Sequence, residues 1–132
     1  MVFHGTVVLL IGLLAGLPYG RAIARRAEPR KVDAWRAAHT GLCATGVMLI
    51  AAGAALHQWG PPGAAAHLVV WTLEGGSYSI ALAMTLAAAT GQRGLHPGGS
   101  VANQVVFLAY QLGVAATFVG VIELTWLAWR HY

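Results

Sequence analysis

The sequence predicts an all-α fold, an integral membrane four-transmembrane-helix antiparallel bundle that occupies residues 1–132 as a single membrane domain. Composition is the first reason. Hydrophobic residues make up 58% of the chain and charged residues 9%, too few polar side chains to cover a soluble globule of this size. Length is the second: a helix needs roughly 20 apolar residues to cross a hydrocarbon core, and the chain offers such a stretch four times. The third is the placement of charge, which gathers between the apolar stretches. Strands of a membrane barrel would be about half as long and would alternate apolar with polar residues, which none of the stretches does.

The first helix is expected over about residues 2–20; its basic residues follow the apolar run, so it is read as a retained span and not as a signal peptide. Gly12, Gly16 and Gly20 give it a face on which another helix can approach closely. The connection 24–33 is polar and holds Pro29, which should break the helix before Val32 opens the approach to the second span, helix 32–57. Residues 57–63, with Trp59, Pro61 and Pro62, form a tight turn into the third helix, 64–90. The Gly- and Pro-bearing segment 91–100 leads to the fourth, 101–129, where Ala109, Gly113 and Thr117 repeat the small-residue spacing. Cys43 is the single cysteine, so packing alone holds the bundle.

Of the eight Lys and Arg residues, Arg21, Arg25, Arg26, Arg30, Lys31 and Arg36 lie between the first two helices. Loops rich in Lys and Arg stay in the cytoplasm, which puts the basic first loop and the Arg93 loop inside and both termini outside; Arg130 points the other way. In a soluble protein such a run could bind nucleic acid. Flanking membrane helices, it reads as a topology signal and a surface for anionic membrane lipid, with no nucleic-acid partner. The expected location is a bacterial inner membrane.

Ionisable groups within the spans are expensive and become the functional candidates. Glu74 falls in the third helix and Glu123 in the fourth, where they could pair between helices or line a polar path. His4, His57 and His67 share the outer depth, either as interfacial side chains or as a metal site. His39 and His57 share a helix face but lie roughly 27 Å apart at 1.5 Å per residue, too far for one metal. His39 stands among Ala38, Thr40, Gly41 and Ala44, which leaves room for a flat cofactor against the helix, and a neutral imidazole is a common iron ligand. Cys43, one turn on, reads as a small buried hydrophobe.

Trp35-Arg36-Ala37-Ala38-His39-Thr40-Gly41, followed by an apolar run, resembles the segment around the haem-ligating histidine of styrene oxide isomerases. Phe3-His4-Gly5 is similar to a His-Gly pair that opens the first helix of that family, and Gln92-Arg93-Gly94-Leu95 resembles an Asn-Arg-Gly-Leu segment after its third helix. The interval from His39 to Arg93 fits without a gap. The resemblance implies a small membrane enzyme, assembled as a trimer, that holds haem b and opens a lipophilic aryl epoxide to an aldehyde, ferric iron acting as a Lewis acid. It makes His39 the metal ligand and places Trp35 beside the cofactor. Arg36 and Arg93, basic groups at the depth of His39, would then pair with the haem propionates. The family's Asn six residues after the ligand and its Tyr in the third helix fall on Thr45 and Met84, the catalytic candidates here. Thr45 keeps a hydroxyl; Met84 cannot replace a phenol. Two other readings stay open: a non-catalytic haem protein such as a b-type electron carrier or sensor, and a cofactor-free structural or transport component. Four helices each about 10 Å across leave little hollow space for a haem, and Thr45 lies about 120° round the helix from His39, so a shared site between protomers is expected.

Overall fold

The computed structural model describes residues 1–61 and 63–131. Four helices follow one another: α1 (Val2–Ala24), α2 (Pro29–Trp59), α3 (Gly63–Thr90) and α4 (Val101–His131). The second connection therefore shrinks to residues around Gly60 and Pro61; Pro62, assigned to the same turn, lies outside the described residues, as does Tyr132. α1, α2 and α4 are long and apolar enough to cross a membrane, whereas α3 does not reach that mark.

Local chemistry sets the ends. Pro29 opens α2 instead of blocking it, against the expectation of a break before Val32: at the first helical position the missing N–H costs nothing and the fixed φ suits the helix. α1 runs on to Ala24 and closes through bonds from Arg26 N–H to the Ile23 carbonyl and from Ala27 N–H to the Ala22 carbonyl, with Arg26 at φ 49°. Gly60, at φ 57°, ends α2 in the left-handed conformation that glycine takes without strain. The segment 91–100 is latched by Asn103, only 6% exposed, whose Oδ1 accepts from Gly94 N–H at 3.0 Å and whose Nδ2 donates to the carbonyls of His96 and Gly98.

The helices pack as two hairpins. α1 lies along α2 in antiparallel register, with Gly5 against Ile50, Gly46 against Leu9, Gly12 against Cys43 and Gly16 against His39. A Cβ on Gly12 would come within 2.6 Å of the Cys43 nitrogen, so the small-residue face is a contact inside the protomer; Gly20, the last of that run, faces nothing. In the second hairpin Gly76 meets the Gly113 carbonyl, and Ser79 Oγ donates to the Ala109 carbonyl at 2.8 Å. The hairpins join chiefly where α2 meets α3, with a lighter contact of α1 on α3. Leu42, Leu49, Leu73, Val8 and Val69 fill the core between them, while Leu13, Leu17, Leu112 and Phe118 point outward.

Candidate functional site

His39 stands ten residues into α2 and turns toward α1. Its Nδ1 donates to the Gly12 carbonyl at 2.8 Å. A carbonyl can only accept, so the proton sits on Nδ1 and the Nε2 lone pair is left for another partner; none of the described residues supplies one. The ring lies on Gly16, where a Cβ would come 3.2 Å from Nδ1, and Tyr19 stacks on it with centroids 6.2 Å apart and planes 23° from parallel. Cys43 Sγ is 3.9 Å from Nδ1, too far to compete for the proton. Glycine at two successive turns of α1 thus makes a seat for the imidazole.

Arg36 stands one turn before His39 and is tied on both sides, its Nε donating to the Tyr19 hydroxyl at 3.1 Å and its Nη1 lying 3.1 Å from Asp33. Trp35 points elsewhere, against Ala15, Ala38 and Ala88, and lines a small cavity of about 320 Å³ near Arg21, Arg25 and Lys31. Arg93 sits on the loop latched by Asn103 and lines a second cavity, of about 720 Å³, between α2, α3 and α4. Arg36 and Arg93 therefore share the basic end of the bundle but not one face.

Thr45 and Met84 belong to the side of α2 that meets α3. Met84 packs its thioether against Gly41 and lines the larger cavity. Thr45 Oγ1 donates to the Gly41 carbonyl at 2.9 Å, so its proton is committed within its own helix. The structure brings Met84 beside Gly41, one turn from Thr45, and leaves His39 on the other side of α2, as the 120° offset requires.

At the opposite end a polar cluster crosses from α1 to α3. Glu74, buried, lies 2.7 Å from the Met1 ammonium and 3.6 Å from His4 Nε2, while His4 Nδ1 and the Tyr78 hydroxyl share a hydrogen bond of 2.9 Å. Glu74 is neutralised there instead of lining an open path. His4, His57 and His67 do not assemble: among the described residues no three His, Cys, Asp or Glu side chains converge on a metal position.

Sequence reasoning missed Tyr19, Tyr78, Asn103 and Tyr110, the last lining the larger cavity. The antiparallel register of α1 on α2 could have found Tyr19, since it places that residue opposite Arg36 just as it places Gly16 opposite His39.

No curated protein matches the chain. No solved structure matches it. The sequence model of the styrene oxide isomerase family matches residues 1–129, nearly the whole length, and the chain belongs to that family.

Proposed function

We propose that the protein is a haem b-dependent membrane isomerase that rearranges a lipophilic aryl epoxide to an aldehyde, working as a homotrimer with the cofactor at a protomer boundary. The observation that carries this reading is the seat of His39: Nδ1 tied to a backbone carbonyl, Nε2 uncommitted, and glycines on the facing helix to take the ring. This is the outer-shell arrangement that fixes a histidine tautomer for metal ligation, so the donor chemistry fits a haem iron. Family membership supports the isomerase class. Bound through His39, haem b would supply a Lewis-acidic iron for the epoxide oxygen.

The remaining tasks fall to the chain. Arg36, held in place by Tyr19 and Asp33, and Arg93, held by the Asn103 latch, are the cations offered to the propionates. Ala34, Ala88 and Met84 supply an apolar wall to part of the larger cavity, and for a substrate lying against that wall the carbon that becomes cationic as its bond to oxygen breaks would be satisfied by a hydride from the neighbouring carbon. Oxygen stays in the product as the aldehyde carbonyl, with no net redox change. Substrate would enter from the bilayer. We propose further that α3 crosses it with the other three, because its 28 residues run antiparallel to α2 and α4, and that the basic end faces the cytoplasm of a bacterium.

His39→Ala should abolish haem retention and isomerisation while the protein still inserts and elutes as the wild type does, since the change removes the iron bond and little packing. Soret absorbance of the purified membrane protein checks it, a high-spin ferric spectrum being expected of the wild type. Full haem occupancy in the variant would rule His39 out.

A further inference from the structure

The larger cavity is open at the basic end, where Glu28, Arg30, Lys31, Asp33, Gln92 and Arg93 line it, and has an apolar stretch formed by Ala34, Met84 and Ala88, which Tyr110 joins. Tyr110 enters from α4, nine residues beyond its start at Val101. Its hydroxyl has no hydrogen-bond partner among the described residues. A half-buried phenol gains from an acceptor and normally finds one.

The other hydroxyls nearby are spent. Thr45 donates to the Gly41 carbonyl at 2.9 Å and Thr90 to the Leu86 carbonyl at 2.7 Å, while Met84 has no proton to give. At about 720 Å³ the cavity falls within the range of roughly 300–1,000 Å³ usual for small-molecule sites. Such a space suits a small apolar molecule carrying one oxygen acceptor.

We propose that Tyr110 is the hydrogen-bond donor that orients the substrate in this cavity, holding the oxygen of an aryl epoxide and then of its carbonyl product. The identity of the substrate rests on the isomerase reading; the ligand class rests on the cavity. Tyr110 keeps its proton throughout. Its O–H dipole stabilises charge that grows on the oxygen as the carbon–oxygen bond breaks, and the migrating hydrogen moves within the substrate.

Acetophenone labelled with ¹³C at the carbonyl serves as the probe, because it has the aryl group and the acceptor but no epoxide. Infrared spectra are taken of the wild-type protein, Tyr110→Phe and Met84→Trp in lipid nanodiscs, with empty nanodiscs subtracted. Wild type should show a saturable carbonyl band below the frequency seen in hydrocarbon. Tyr110→Phe should return the band upward and bind roughly three- to tenfold more weakly, the loss expected for one neutral hydrogen bond. Met84→Trp, which fills the cavity, should lose the saturable band. Helical content and elution volume report folding of both variants. A wild-type band and affinity in Tyr110→Phe would overturn the assignment, as would absence of saturable binding to wild type or its survival in Met84→Trp. A Tyr110-dependent band without epoxide turnover would leave this site standing and sink the isomerase reading. Turnover with the band indifferent to Tyr110 would do the reverse.

Discussion

The proton on His39 Nδ1 is fixed by the Gly12 carbonyl, and the ring is held flat by the absence of a side chain at Gly16. Gly16→Ala would place a methyl 3.2 Å from Nδ1 and 3.3 Å from Cε1, so the imidazole must tilt. We expect the displacement to cost about 1 kcal/mol, a roughly fivefold loss of haem affinity. Gly20→Ala, which meets nothing within 4 Å, should bind as the wild type does. Haem titration of the two variants separates them, and equal affinities would show that the ring does not use this seat. Much of the site could be read from the residues: His39, the small residues beside it and the flanking Arg36 are all visible in the sequence. What fixes the tautomer was not. Its partner is a backbone carbonyl on another helix, and every residue carries a carbonyl, so no residue type marks it. Tyr110 was hidden for a related reason, since only packing decides which face of α4 lines the cavity.

Helix lengths were legible because a bilayer imposes them; α1 runs on to Ala24, past the expected end at Gly20, and the early start of α2 was missed by reading Pro29 as a breaker where it is a favoured first residue. α3 departs furthest from a plain apolar span. It carries Glu74, and with it the polar link to Met1 and His4 on α1. Because α1 and α3 otherwise touch lightly, this link is a large part of what joins their ends. Removing one partner of a buried pair leaves the other charge uncompensated, so Glu74→Gln should destabilise the bundle by about 3 kcal/mol. His4→Ala should cost less, about 1 kcal/mol, its ring being half exposed. Unfolding of the detergent-solubilised protein by denaturant reads both, and a Glu74→Gln midpoint equal to wild type would mean that the carboxylate does not staple the helices.

One protomer presents two unlike faces, the His39 seat on the α1 side of α2 and the cavity on the α3 side. A haem held on the first needs a wall that its own four helices do not offer, and the second, on a neighbouring copy, can provide it. The shared wall calls for an oligomer and the family resemblance implies a trimer, so mass measurement in mild detergent should give a trimer carrying haem. A haem-loaded monomer that binds acetophenone as the assembled protein does would exclude the shared site. The hairpin arrangement also bears on how the protein is made. Gly12, Gly16, Tyr19, Arg36 and His39 all lie on the first two helices, and their mutual contacts need nothing from α3 or α4. The tautomer of His39 is thus set once that first pair has left the ribosome and paired in the bilayer, so the imidazole is oriented before the second half of the chain has been translated.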